Sequence, residues 1–94
     1  MQNNAEAAAG LLKSLANSSR LMVLCALVCR EHTVGELEQL TGLSQSAISQ
    51  HMARLREAGI VSTRRDAQRI FYSLDNAEVR AVLETLHGVY CAES

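Results

Sequence analysis

The sequence predicts a mainly α-helical domain of five helices carrying one two-stranded β-hairpin. Three observations point to it. Apolar residues recur at helical spacing in five stretches, the segment from Ile60 to Leu74 switches to β-branched and aromatic residues, and capping residues fall at the breaks between these stretches. The 94 residues, 48% of them hydrophobic and 20% charged, suffice for one domain over 1–94 and not for two. A domain this small buries a limited share of its surface, so a partner-covered face is expected.

The first helix is predicted over about residues 5 to 16, where Ala8, Leu11, Leu12 and Leu15 recur at i, i+3, i+4 and i+7. Asn17, Ser18 and Ser19 interrupt it and offer caps for a second helix over about Arg20 to Arg30. That helix is apolar almost all round, the mark of the buried centre. Thr33 and Glu36 have capping-box spacing and open a short third helix through Val34, Leu37 and Leu40. Gly42 suits the left-handed residue that ends it, and Ser44 suits the N-cap of a fourth helix with the seam Ala47, Ile48, Met52 and Leu55, stopped at Gly59. Two helices joined by a turn of about three residues containing glycine form a helix-turn-helix.

Ile60 to Arg65 and Arg69 to Leu74 read as the hairpin strands around Asp66, Ala67 and Gln68. Without Asn-Gly or Asp-Gly the turn type is open. Asp75 with Glu78 opens the last helix, with Leu74 and Val79 as a hydrophobic staple and a seam of Val79, Val82, Leu83, Leu86 and Tyr90.

Composition narrows the function. The longest apolar run, Leu21 to Cys29, is too short to span a bilayer, and MQNNAEAAAG lacks the basic and apolar regions of a secretory signal. Three cysteines do not suggest a disulfide scaffold, so a cytoplasmic location without membrane association is expected. The net charge of -1 is unevenly spread: residues 45 to 74 carry five arginines against two acids, and the rest has four basic residues against eight acidic.

The outward face of the fourth helix presents Gln45, Ser46, Ser49 and Gln50, with Arg54 and Arg56 further along. Short amide and hydroxyl side chains reach base edges in a major groove, where glutamine reads adenine and serine several partners. The arginines neutralise phosphates, and Arg64, Arg65 and Arg69 extend that contact along the hairpin as a wing. The plainer reading, that these are only solvated side chains, is weakened by the short preceding helix, the glycine turn and the basic hairpin. With only Phe71, Tyr72 and Tyr90 as aromatics, stacking on single strands is a poor alternative. No nucleophile, base and orienting group stand out, so an enzyme is not expected, and no cofactor is implied. His51, at the edge of the seam, reads as a packing or phosphate-contact residue.

The order of elements and the stretches LKSLANSSRLMVLCAL, VGELEQLTGLSQSAISQHMARLREAGIV and RRDAQRIFYSL resemble the ArsR/SmtB winged helix-turn-helix repressors over about residues 9 to 91. The resemblance implies a homodimer through the first and last helices, reading a palindromic double-stranded operator with Gln45, Ser46, Ser49 and Gln50. Half-sites would lie roughly 34 Å apart.

Many members of that family sense metals, but two of its familiar sites are missing here. Thr33, Val34 and Gly35 stand where the arsenic and cadmium sensors carry a CVC motif, and Asn76, Glu78, Val89 and Ala92 match the zinc sensors' last-helix ligands. Valine and alanine cannot coordinate a metal. The contexts VLC at Cys25 and VYC at Cys91 resemble those of the sulfide- and redox-responsive subgroup, which includes the biofilm-growth, sulfide:quinone-reductase and haemolysin regulators. The resemblance implies that Cys25 and Cys91 form a dithiol switched by reactive sulfur species or oxidants. A buried packing role is the competing reading, which suits Cys25 better than Cys91. Cys29 reads as a packing residue and His87 as an interface hydrogen-bonding residue. Two other readings stay open at this point: a metal-responsive repressor using Cys25, Cys29, His32 and Cys91, and a protein-interaction module on the same scaffold.

Overall fold

The computed structural model describes the backbone of residues 2–90 and the side chains of residues 4–90. The elements follow in the expected order: α1 (Gln2–Leu15), α2 (Ser18–Cys29), α3 (Val34–Thr41), α4 (Gln45–Glu57), β1 (Val61–Asp66), β2 (Arg69–Leu74) and α5 (Ala77–Tyr90). This is a winged helix-turn-helix, with α3 and α4 as the helix pair and β1–β2 as the wing.

Local chemistry sets the helix boundaries. Asn17 caps α2 by accepting from Arg20 N at 2.9 Å. Thr33 and Glu36 form the reciprocal capping box of α3, Oγ1 accepting from Glu36 N at 3.2 Å and Oε1 from Thr33 N at 3.1 Å. Gly42 leaves α3 at φ 75°, and Ser44 Oγ accepts from Ala47 N at 3.2 Å to start α4. Three residues therefore turn the chain between the two helices. Behind α4, Gly59 takes φ 76° and donates to Arg56 O, while Ile60 N donates to Leu55 O at 2.9 Å. These are the two bonds of a Schellman motif, and the buried Ile60 and Leu55 supply its apolar contact.

The core is built on α2, whose Val23, Leu24 and Leu27 are buried against α3, α5 and β2. Ile48, Met52 and Leu55 hold α4 to it, each fully buried side chain contributing roughly 2 kcal/mol. Leu37, Ile60, Val61, Val79 and Leu83 complete the centre, and Leu15 brings in α1, which meets α2 at 93°. In the wing, β1 and β2 pair antiparallel from Val61 opposite Leu74 to Asp66 opposite Arg69. His32 and Tyr72 exchange both backbone hydrogen bonds, at 3.0 and 2.7 Å, so the α2–α3 connection adds one bridge to β2. Ala67 and Gln68 form a two-residue loop with a positive φ, 58°, at Ala67 alone, the sign pattern of a type II′ turn.

Four expectations need correction. The cap of α5 is Asn76, whose Oδ1 accepts from Val79 N at 3.0 Å; the Asp75 N–H is committed to Ile60 O. The α1 seam splits, Leu15 facing inward while Ala8 and Leu12 are exposed. Tyr90, at the end of the α5 seam, is 80% exposed. Cys29 is exposed rather than packed, because the last turn of α2 borders an open groove. Among the described residues, no single helix is long and apolar enough to cross a membrane.

Candidate nucleic-acid interface and thiol groove

The buried stripe of α4 fixes which side chains point outward. At about 100° per residue, Ser46, Ser49 and Gln50 fall within roughly 100° of the helix circumference, clear of Ile48, Met52 and Leu55, while Gln45, in the first turn, borders the Met52 edge of the buried stripe. All four are exposed. The helix is about 20 Å long, and its N-terminal half carries these short polar groups without a single charge. Arg54 and Arg56 are exposed in its last turn and leave it roughly 160° apart, to opposite flanks.

The wing arginines differ from one another. Arg64, opposite Phe71 in the ladder, grips Glu31 through Nε, 3.0 and 2.9 Å from the two carboxylate oxygens, with Nη2 on Oε1 as well. This bond holds the Glu31 carboxyl below its ordinary value and raises the guanidinium of Arg64. Arg69 lies 3.7 Å from Glu36, and both guanidinium groups sit over the Phe71 ring, at 4.5 and 4.9 Å. Glu36 itself is held low, first by the Thr33 N–H and then by His32, whose buried Nδ1 is 3.2 Å from Oε1. Arg65 projects from the other face of the wing, opposite Ile70. Among the described residues, Arg65, Arg54 and Arg56 make no ion pair.

Sequence reasoning singled out all five arginines by charge but missed Glu31 and Glu36, which tie two of them to the body of the domain. A glutamate 33 positions from its arginine leaves no local signal.

A groove of about 860 Å³ opens between α2, the end of α3 and the end of α5. Cys25, half-buried, lines it one helical turn before the exposed Cys29, and Leu86, His87 and Tyr90 line the opposite wall. Arg80 ties the two walls together, its Nη1 donating to Val28 O at 3.3 Å. Cys91 lies outside the described residues. Cys25, Cys29 and His32 share the groove, yet among the described residues no three His, Cys, Asp or Glu side chains converge as metal ligands would.

A sequence profile described as bacterial regulatory protein, arsR family, matches residues 17–63, from the α2 cap into the wing. The transcriptional activator HlyU of Vibrio cholerae is 50% identical over 91 residues, 97% of this chain and 84% of that protein. A structure described as reduced HlyU superposes with a TM-score of 0.92, covering 97% of this chain and 96% of that one. The biofilm growth-associated repressor of Xylella fastidiosa is 44% identical over 99% of this chain and 82% of its own. The crystal structure of that organism's repressor BigR matches with a TM-score of 0.90 over 100% and 93% of the two chains. The solution structure of a homodimeric winged helix-turn-helix DNA-binding domain from Mycobacterium bovis, 26% identical, matches at 0.80 over 94% and 82%.

Proposed function

The chain belongs to the arsR family of bacterial regulatory proteins, alongside HlyU and the biofilm growth-associated repressors, and we propose that it is a homodimeric repressor released from its operator by oxidation of a Cys25/Cys91 dithiol. It is a transcriptional regulator and not an enzyme. The reading takes residues 1–94 as one DNA-binding and dimerisation domain acting in the cytoplasm, where its DNA is.

In this reading Gln45, Ser46, Ser49 and Gln50 meet base edges in the major groove, which admits one helix, and Arg54, Arg56 and Arg65 neutralise phosphates beside it. Arg64 and Arg69 join them by exchanging Glu31 and Glu36 for phosphate. Leu12 of α1 with Val89 and Tyr90 of α5, all more than half exposed, supply the apolar surface that a second copy covers, in keeping with the homodimeric relative. The two α4 helices of such a dimer address half-sites roughly 34 Å apart.

The observation that carries the switch is the shared groove: Cys25 lines one wall, and Tyr90, the residue preceding Cys91 in the chain, lines the other. One cysteine thiolate attacks the terminal sulfane sulfur of a hydrogen polysulfide, expelling the shortened polysulfide and becoming a persulfide. The second thiolate then attacks the cysteine sulfur of that persulfide, closing the disulfide and expelling hydrosulfide. The two thiols lose two protons and two electrons, and the polysulfide sulfur is reduced. A bridge from α2 to the end of α5 alters how the dimer helix sits on the core, and with it the spacing of the recognition helices. That a relative is described as reduced HlyU supports a redox-active protein in this group.

Cys25→Ser and Cys91→Ser are expected to keep DNA binding and to lose release by polysulfide, with a Cys25–Cys91 peptide found by mass spectrometry only in the oxidised wild type. A Cys91→Ser protein that still releases normally defeats the switch.

A further inference from the structure

We infer that the open cavity between α1, α2 and α4 is a binding site for a phosphate-class oxyanion, either a backbone phosphate of DNA or a free phosphate. The cavity holds about 290 Å³ and is lined by Gly10, Lys13, Ser14, Arg20, Arg54 and Leu55. Three of those six residues are cationic, and none carries a carboxylate. Among the described residues, neither Lys13, Arg20 nor Arg54 makes an ion pair, although every glutamate near the wing is engaged by an arginine.

Arg20 is the fixed member. Its Nη1 donates to Ser14 O at 2.9 Å, which anchors the guanidinium against the end of α1, while its Nε is buried and has no hydrogen-bond partner among the described residues. A buried donor without an acceptor is costly, and an anion that draws the Arg20 guanidinium toward the cavity offsets that cost. Arg54 comes from the flank of α4 nearest this cavity, so the concentration of positive charge is tertiary and not a feature of one helix. His51, one turn before Arg54, reports the same field: burial first, then the charges of Arg20 and Arg54, hold its imidazole below the ordinary value. Two guanidinium groups and an ammonium match an oxyanion with three or four acceptor oxygens better than a single carboxylate, which one arginine satisfies. The site is separate from the face of Gln45, Ser46, Ser49 and Gln50 and from the Cys25 groove. Only its DNA-backbone source rests on the operator-binding reading.

The test uses the reduced full chain in two arms. In the first, inorganic phosphate is titrated at constant ionic strength against chloride, followed by NMR. Saturable shifts are expected at the Ser14 and Arg20 amides, with a rise in the His51 pKa as the cationic field is neutralised. Lys13→Gln, an exposed position that leaves the Arg20 anchor intact, weakens the binding roughly tenfold. In the second arm, affinity for duplex DNA is measured against salt, and Lys13→Gln lowers the slope of log K by about 1 at every sequence. Both effects together assign the site to a DNA phosphate. Phosphate binding with an unchanged slope assigns it to a free oxyanion, and a lowered slope alone to the DNA backbone. The absence of both overturns the inference. A wild-type chain that fails to bind duplex DNA defeats the operator reading and leaves the phosphate arm to decide the site.

Discussion

Glu31 decides what Arg64 is able to do. The guanidinium that charge patterning offers to a phosphate is held at 2.9 to 3.0 Å by a carboxylate and stacked on Phe71, so the wing starts its encounter with DNA partly neutralised. Glu31→Gln is therefore expected to raise affinity for duplex DNA several-fold at low salt and to steepen the salt dependence by about one phosphate contact, read by anisotropy at a series of salt concentrations. The same residue carries a pH dependence. Because Arg64 lowers the Glu31 pKa from 4.5, the pair's contribution to stability is fully present above that value and is lost as pH falls through the lower folded value. Denaturation midpoints across acid pH should fall less steeply in Glu31→Gln; identical curves would mean that the pair adds nothing in solution. The arginines were legible in the sequence as a basic segment, but their partners were not, since position along the chain does not reveal which glutamate a folded connection brings to a strand.

Where the determinants are local, the elements follow from the sequence. Thr33 with Glu36, Gly42, and Ser44 with Ala47 satisfy helix ends over separations of one turn, so the boundaries of α3 and the start of α4 could be read directly. At the start of α5, the spacing of Asp75 and Glu78 suggests a capping box that does not form. The Asp75 N–H that such a box would give to Glu78 bonds instead to Ile60 O, 15 positions away, and the side chain that caps the helix is that of Asn76. The α1 and α5 seams were equally ambiguous, because helical periodicity marks an apolar face without saying whether the same chain or another copy covers it. Gly59 is the element-scale test. Its φ of 76° closes the Schellman motif that aims α4 into the wing, and Gly59→Ala is expected to cost about 1 kcal/mol in urea denaturation, with DNA affinity reduced in parallel. An unchanged midpoint would show that the end of α4 tolerates a different turn.

The whole molecule measures 44 × 31 × 20 Å, with α1 set at 93° to α2 and exposed apolar side chains on both terminal helices. That shape suits a protomer whose terminal helices join a second copy while α4 and the wing project toward DNA. The groove lies between α2 and α5, and the Arg80 to Val28 bond ties those two helices, so under the proposed switch a covalent change there acts first on how α5 sits on the core. The sequence made the family and the fold legible, and the proposed pairing of Cys25 with Cys91 rests on their sequence contexts. It did not reveal the groove, because Cys25 and the end of α5 are brought together only by the packing of α2 on α5. The decisive measurement is fluorescence anisotropy of the reduced protein on duplex DNA from upstream of its own coding sequence, repeated after a polysulfide donor and again after a reductant. Binding that is lost with polysulfide and restored by the reductant is the expected result. Binding unchanged by the polysulfide, with both cysteines shown to have reacted, would contradict the dithiol switch.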